Sequence, residues 1–305
     1  MDKIQEKLLA EVAGIHEVPE GAYSLRINGQ LHGKNSSEHI EIVKKEDKPG
    51  IDIYIKAGTK NESVHIPVIL SQSGLKELVY NDFHIGEDCD VTIVAGCGIH
   101  NGGSETSEHS GIHSFYLSKN AKVKYIEKHY GQGDGNGKNV MNPHTHAELE
   151  EGAYLEMETA QIKGVDSTKR VTTAVVSKNA TIVVHEKIMT HGEQFAETEF
   201  EVELNGEGSG AHVVSRSVAR DHSHQRFISR VKGNAPCSGH TECDAIIMDE
   251  ATVAAVPEIL AVHPNASLIH EAAIGKIAGE QLIKLMTLGL TEKEAEEEIV
   301  NGFLR

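Results

Sequence analysis

A thiol, an imidazole and a carboxylate occur close together in the last quarter of the chain. Cys243 lies in residues 239–245 (GHTECDA), and His270 and Glu271 lie in residues 268–272 (LIHEA). Thiolates and imidazoles are natural ligands of soft and borderline metals, and a carboxylate can complete the coordination or act as a base. These residues therefore predict a metal or sulfur site. The alternative for Cys243 is a packing role, because free cysteine is among the most buried residue types.

A second group of potential ligands lies in the first half of the chain, which is rich in histidine. Cys97 and His100 are followed by His109, His113 and His129. In a stack of β-coils, residues one coil apart lie about 5 Å from each other, so these side chains can converge. One cysteine and three histidines suffice for a closed tetrahedral site. We expect iron or zinc here, with solvated loop histidines as the alternative.

A third histidine motif supports a different class of function. His144, His146 and Glu148 resemble the first metal motif of cupins, although Lys138 stands where that motif has a glycine. A metal-dependent, cupin-like enzyme using the histidine-rich region is therefore an alternative prediction.

The glycine-rich residues 131–139 do not form a phosphate-binding loop. The pattern Gly-x4-Gly-Lys-Ser/Thr requires a glycine at position 132 and a hydroxyl residue at position 139, where this chain has Gln132 and Asn139. The sequence therefore predicts no ATP site in this chain, and work driven by ATP would require a partner.

Several separated segments in the last third of the chain carry a family resemblance. They are 239–245 (GHTECDA), 256–257 (VP), 270–276 (HEAAIGK), 280–282 (EQL) and 299–303 (IVNGF). In this order they resemble the C-terminal signature of the SufB/SufD family of iron–sulfur cluster assembly scaffolds. The presence of both the cysteine and the His-Glu pair resembles SufB more than SufD, and the length resembles the compact archaeal and anaerobe form.

The resemblance implies a transient iron–sulfur cluster. Cys243 would be its thiolate ligand, and His270 and Glu271 would supply nitrogen and oxygen where two subunits meet. The chain departs from SufB in two respects. No cysteine lies between Cys97 and Cys237, where SufB proteins carry one associated with sulfur passage, and Ile269 replaces a glutamate before the His-Glu pair. The sulfur donor, and whether a flavin takes part, are left open.

The resemblance also implies partners. In the family, the C-terminal helices dock on a separate SufC-type ABC ATPase, and the β-helix forms a dimer, which we expect to be a homodimer. The chain itself would be a scaffold and not an enzyme. The implied ATPase interface consists of Leu282, Leu285, Met286, Ile299 and Phe303. The alternatives are that these helices only cap an open end of the β-helix, or that the chain is a structural adaptor without cluster chemistry.

Composition excludes some classes of function. The 305 residues carry a net charge of −17, with 29 basic and 46 acidic residues, which argues against a nucleic-acid partner. There is no run of 18 apolar residues, and the first 20 residues lack a basic head followed by an apolar block. Four cysteines are too few for a disulfide framework. We therefore expect a cytoplasmic protein without a membrane partner.

The elements that position these residues are predicted from periodicity. Ile4, Leu8, Leu9 and Val12 share one face at helical spacing, which predicts a short amphipathic helix in an N-terminal unit of residues 1–20. From residue 22 onward apolar and polar residues alternate, as is typical of strands with one buried face.

A weak internal repeat organises the middle of the chain. Residues 117–123 (LSKNAKV) recur as 176–182 (VSKNATI). The repeat markers Ala121, Ala153, Ala180 and Ala211 are separated by 32, 27 and 31 residues. Such a period predicts a solenoid, although an antiparallel sandwich or jelly roll fits the alternation equally well. The family resemblance implies a mainly β fold, a right-handed parallel β-helix over residues 21–250.

Helical periodicity returns after Asp249 and predicts a C-terminal helical segment of residues 251–305. One helix is expected over 272–288, and Gly289 is placed to end it. Thr291 and Glu294 then form a predicted capping box for a second helix.

Overall fold

The computed structural model describes residues 1–15 and 21–304. Within them the chain is mainly β and forms a solenoid of about 8 turns, with one helix before it and two after it. The predicted parallel β-helix is therefore confirmed. Residues 16–20 of the expected N-terminal unit, and Arg305, lie outside the described residues.

Two sheets form the walls of the solenoid, and each coil contributes strands to both. The first sheet contains, in spatial order, β2 (Gln30–Asn35), β1 (Ala22–Ile27), β5 (Lys60–Leu70), β7 (Asp90–His100), β9 (Lys122–Gln132), β12 (Tyr154–Lys163), β14 (Thr181–Thr190), β16 (Ser209–Ala219), β18 (Cys237–Ile247) and β20 (Ser267–Gly275). The second contains β19 (Thr252–Ala261), β17 (His224–Gly233), β15 (Phe195–Leu204), β13 (Ser167–Val176), β10 (Asn139–Met141) with β11 (His144–Leu149), β8 (Ser107–Leu117), β6 (Lys76–Ile85), β4 (Gly50–Ile55) and β3 (Ile40–Lys44). The helices are α1 (Lys3–Ala13), α2 (Gly279–Thr287) and α3 (Glu292–Phe303).

Pairing from coil to coil is parallel, so the alternative of an antiparallel sandwich is wrong. From β5 to β20, neighbouring strands of the first sheet pair in parallel with little change of register. In the interior coils alternate residues of the strands are buried, as in β8, where every second residue points inward. Within residues 1–15 and 21–304, antiparallel pairing is confined to the first strands, β1 with β2 and β3 with β4. Asn28 and Gly29, both at positive φ, form the turn that joins β1 to β2.

Each coil turns a corner at a small buried residue. Ala121, Ala153 and Ala180 occupy this corner, and all three are buried. Their fourth equivalent is Ser209 and not Ala211, because Thr181 pairs with Gly210. The sequence therefore predicts the period of the repeat correctly, but its last marker, Ala211, lies two residues after the true corner residue, Ser209.

Two of the four cysteines occupy the same corner. Asp90 pairs with Lys122, so the residues before them, Cys89 and Ala121, are equivalent. Cys237 is paired with the corner residue Ser209. The Cys89 thiol donates a hydrogen bond to the Lys56 carbonyl oxygen at 3.1 Å. The corner excludes large side chains, so these two thiols have a packing role.

Helix α1 docks on the first sheet, as its apolar face predicts. Leu8, Leu9 and Val12 are buried and pack with Leu25 and Ile69. A capping box at Asp2 begins the helix, and Gly14 in the left-handed conformation ends it.

The strands extend further toward the C-terminus than the sequence predicts. Residues 252–261 and 267–275 form β19 and β20, where helical periodicity was expected. The predicted helix over 272–288 begins only at Gly279, because Ile274 pairs with Ala245 of β18 and so belongs to the sheet. The capping box of Thr291 and Glu294 is confirmed at the start of α3.

Helix α3 packs on the side of the solenoid. Val300 and Leu304 contact Val218 of β16. The end of the solenoid is left uncovered within the described residues, since β19 and β20 have no fully buried residue and are the outermost strands of their sheets. None of the helices in the described residues is long and apolar enough to cross a membrane.

Candidate functional site

The register between β18 and β20 positions the candidate ligands. Thr241 pairs with His270, and Cys243 pairs with Ala272. Consecutive residues of a strand point to opposite faces, and paired residues of neighbouring strands share a face. Cys243, Thr241 and His270 therefore belong to the inner face of the solenoid. Glu271 belongs to the outer face.

The inner face holds Cys243 one coil below the open end. Its side chain is 1% exposed, with Ser215 on one neighbouring strand and Ala272 on the other. Burial is the main cause that raises the pKa of the Cys243 thiol to about 12, and the negative charges of Glu186 and Asp244 add to it. The thiol is therefore protonated at neutral pH, and binding a metal ion would have to displace the proton.

His270 presents an unpaired nitrogen at this end. Its Nδ1 is 2.7 Å from the Thr241 hydroxyl, a hydrogen bond that fixes the ring. Its Nε2 is buried and has no hydrogen-bond partner among the residues that the structure describes. Burial lowers the pKa of His270, and the nearby His240 lowers it further. A neutral imidazole with one nitrogen held by a hydrogen bond and the other unpaired is the arrangement of a metal-binding histidine.

The outer face carries a different group of ligands. His240 and Glu242 of β18 and Glu271 of β20 each present a ligand atom, and these atoms all lie within 4.8 Å of one another. His240 Nε2 is 3.4 Å from Glu271 Oε2. The three residues predicted as one ligand set are thus divided, with Cys243 and His270 inside and Glu271 outside.

His240 also continues a row of histidines that the sequence analysis does not identify. His212 pairs with His240 from the neighbouring strand, and their ring centroids are 5.4 Å apart. His185 lies beyond, with its ring centroid 6.3 Å from that of His212. The available signal was the repeat itself, since His212 and His240 occupy equivalent places one coil apart.

A buried ion-pair network fills the interior below Cys243. Arg170 forms one ion pair with Glu127 and another with Glu186, in which Arg170 Nε is 3.5 Å from Glu186 Oε1. Burial would raise the pKa of Glu127, but Arg170 and the neighbouring histidines hold it well below its usual value. Glu186 also accepts a hydrogen bond of 2.8 Å from Ser215, the neighbour of Cys243. The polar interior therefore extends from the middle of the solenoid to the candidate site.

The predicted histidine-rich metal site is only partly assembled. Cys97, His109 and His113 all point inward and line one cavity of about 10 Å³, together with His129. His100 is three residues from Cys97 in the same strand, so it points to the outer face and away from the cavity. Within residues 1–15 and 21–304, the outer group with His240 alone brings three ligand atoms within 4.8 Å of one another. A metal site formed by Cys97, His109 and His113 stays a prediction, and His100 cannot be one of its ligands because it lies on the outer face.

The motif that resembles cupins lies on an outer surface. His144 is exposed and His146 is half-buried on β11, where His146 Nε2 is 3.3 Å from Glu148. They do not face the inside of a barrel, because the fold is a solenoid. The structural basis of the cupin alternative is therefore wrong.

The two C-terminal helices differ in exposure. Helix α2 has no fully buried residue; Met286 is exposed, and Leu282 and Leu285 are half-buried. In α3, Ile299 and Phe303 are half-buried, and Phe303 packs against the cluster around Val218. Of the predicted interface, the α2 part is thus the more accessible to a partner.

Comparisons with known proteins identify the family. Residues 77–303 match the family described as "SUF system FeS cluster assembly, SufBD core domain". An iron-sulfur cluster assembly SufBD family protein of Archaeoglobus fulgidus is 31% identical over 278 residues, 89% of this chain and 72% of that protein. One of Methanocaldococcus jannaschii is 29% identical over 265 residues, 86% of this chain and 83% of that protein. The iron-sulfur cluster assembly protein SufB of Bacillus subtilis is 35% identical over 96 residues, 30% of this chain and 21% of that protein. The chain therefore belongs to the SufBD family of iron–sulfur cluster assembly proteins.

Proposed function

We propose that this chain is a scaffold subunit on which a transient iron–sulfur cluster is assembled at the open end of the solenoid. Cys243 is the thiolate ligand and His270 the nitrogen ligand. The observation that supports this assignment is their common position on the inner face of the last two coils, next to the uncovered strands β19 and β20. Glu271 approaches the same rim from the outer face.

The ligand set suits transfer of the cluster to a recipient. Permanent clusters are commonly held by four thiolates. A single thiolate with a high pKa in its metal-free state, supported by an imidazole, binds iron less firmly because a proton competes for the sulfur. A cluster held in this way can leave the scaffold more readily.

The open end also supports a homodimer. In the described part of the chain, the outer edges of strands β19 and β20 have no partner strand, and unpaired edges are templates for pairing with another chain. Their exposed apolar residues include Val256, Ile259, Leu260 and Ile269. A second copy joined at this end would cover these residues and place two Cys243–His270 pairs near one interface.

The energy source in this proposal is a separate SufC-type ABC ATPase. The glycine-rich residues 131–139 do not match the phosphate-loop pattern, so this loop does not provide an ATP site. Helix α2, with Ile283 and Met286 exposed, is the proposed docking surface, together with the exposed Leu288 that follows the helix. Leu282, Leu285, Ile299 and Phe303 support that surface from half-buried positions.

Anaerobic reconstitution tests the cluster site. Purified protein is incubated with ferrous iron and sulfide, and the cluster is measured by visible absorption and by iron and sulfide content. Cys243→Ser should lose the cluster. Cys237→Ser is the matched control, because Cys237 is also an inward residue of β18 but occupies a corner. Full loading of Cys243→Ser would remove Cys243 from the role, and equal losses in both variants would indicate damage to the fold.

The alternative of a structural adaptor has its own outcome. An adaptor would bind the ATPase and form neither iron nor sulfide adducts under reducing, anaerobic conditions. That result would replace the scaffold assignment and leave the docking surface in place.

A further inference from the structure

We propose that His240, Glu242 and Glu271 form a binding site for one ferrous ion on the outer face of the solenoid. In this inference, which rests on the proposed function for its biological role, the ion is held on the opposite side of the sheet from Cys243 before it is incorporated into a cluster.

The geometry of three side chains supports the site. Their ligand atoms lie within 4.8 Å of one another, close enough for one ion to contact all three after small side-chain rotations. Within the described residues, His240 Nε2 makes no hydrogen bond and lies 3.4 Å from Glu271 Oε2, so this nitrogen is available as a ligand. The in-register pairing of β18 with β20 places Glu242 beside Glu271, and His240 one pleat away on the same face.

The charges on this face favour a cation. Glu242 and Glu271 are neighbouring acidic residues, and Asp244 continues the same outer face of β18. A divalent ion between Glu242 and Glu271 would offset the repulsion between their two negative charges.

The ligand types select the class of metal. One imidazole and two carboxylates suit Fe²⁺, Mn²⁺ or Zn²⁺, whereas Ca²⁺ and Mg²⁺ prefer oxygen alone and Cu⁺ prefers sulfur. His212 is the next potential nitrogen ligand, with its ring centroid 5.4 Å from that of His240. A surface groove of about 520 Å³, lined in part by His185, His212 and Glu242, lies beside the site and admits a hydrated ion. Among these metals, ferrous iron is the one that a cluster consumes.

The position of the site relative to the thiol gives it a function. Glu242 and Cys243 are consecutive residues of β18 that point to opposite faces. An ion on the outer face is therefore separated from the thiol by one layer of backbone, and the free edge of β20 is the rim that connects both faces.

Metal titration of the full chain tests the inference. Metal-free protein is titrated anaerobically with Fe²⁺ by calorimetry, and with Co²⁺ as a spectroscopic probe of the ligands. We expect one site without cobalt–thiolate absorption. Glu271→Gln and His240→Ala should each weaken binding by about 10-fold to 100-fold, since each removes one of three protein ligands. Thermal unfolding of each variant shows whether the fold is retained.

Two controls separate this inference from the proposed function. His146→Ala removes a comparable pair on another outer surface, His146 with Glu148 at 3.3 Å, and should leave the affinity unchanged. Cys243→Ser should lose the cluster and keep the Fe²⁺ site. If Cys243→Ser abolishes Fe²⁺ binding, or if Glu271→Gln binds Fe²⁺ as the parent does, the outer site is overturned, whatever the result of cluster reconstitution.

Discussion

His270 and Glu271 are consecutive residues whose side chains make their contacts on opposite faces of β20. His270 Nδ1 is 2.7 Å from the Thr241 hydroxyl on the inner face, whereas Glu271 Oε2 is 3.4 Å from His240 Nε2 on the outer face. The two side chains therefore do not bind one ion together. In the proposed assignment the pair contributes to two sites on one strand, with the thiol of Cys243 on the side of His270.

This separation predicts different losses for the two residues. His270→Ala should reduce the cluster content after reconstitution and leave the Fe²⁺ affinity of the parent unchanged, because it removes an inner ligand only. Glu271→Gln should weaken Fe²⁺ binding by at least about 10-fold, because it removes an outer ligand. Iron and sulfide analysis reports the first effect and anaerobic calorimetry the second. Identical profiles for the two variants would show that they serve one site.

The buried ion-pair network predicts a large loss of stability. Arg170→Met leaves Glu127 and Glu186 without their cation in the interior, which should lower the free energy of unfolding by roughly 3–5 kcal/mol. Arg226→Met is the control, since Arg226 is half exposed and its ion pair with Glu197 should contribute less than about 1 kcal/mol. The midpoint of urea unfolding, followed by circular dichroism, gives the comparison. Similar midpoints for both variants would contradict the assignment.

His113 predicts how stability depends on pH. Burial is the main cause that lowers its pKa to about 4; the charge of Glu127 opposes the shift, and Arg170 and neighbouring histidines add to it. The unfolded chain, with a histidine pKa of about 6.5, takes up a proton that the folded protein does not. Stability should therefore fall as the pH falls from about 6.5 to about 4, by up to about 3 kcal/mol from this residue.

The measurement for His113 is the difference between two variants. His113→Gln should flatten the pH dependence of the unfolding free energy in that window. His224→Gln changes an exposed histidine, so the slope of its unfolding free energy against pH should equal that of the parent. Parallel curves for both variants would mean that His113 is protonated in the folded protein at these pH values.

The sequence predicts the repeating part of the fold better than its end. Alternation and the markers Ala121, Ala153 and Ala180 predict the coils correctly, because every interior coil buries one face against two neighbours. Within the described residues the last strand, β20, has a neighbouring strand on one side only, so none of its residues is fully buried. Its apolar residues resemble a helix in sequence, and pairing with β18 overrides that local preference.

The candidate site shows the same limit at the level of side chains. Residue types predict that Cys243, His270 and Glu271 bind metal or sulfur, and the family match supports this chemistry. The faces on which they lie follow from strand boundaries and register, which residue types do not encode. His240 was missed for this reason, because its relation to Glu271 depends on the pairing of two strands 29 residues apart along the chain.

The open end predicts a homodimer that a charge can disrupt. Leu260 is 51% exposed on β19, and Leu260→Lys should shift the protein from dimer to monomer in sedimentation velocity. Leu78→Lys is the matched control, since Leu78 is 45% exposed but lies on β6, which is paired on both sides. A dimer that persists in Leu260→Lys would place the subunit interface elsewhere.

The proposed docking of a SufC-type ATPase on helix α2 predicts a loss of binding when its exposed apolar residues are changed. Met286 and Ile283 are exposed at 42% and 62% on a helix without a buried residue, so they contribute little to folding. Substituting both with aspartate should weaken binding of the cognate SufC-type ATPase by more than about 10-fold, because two charges would have to be buried in an apolar contact. Ile4→Asp, at a residue of similar exposure on α1, should bind normally. Calorimetry with the purified ATPase measures both affinities. Unchanged binding by the double variant would exclude α2 and leave Ile299 and Phe303 of α3 to be tested in the same way.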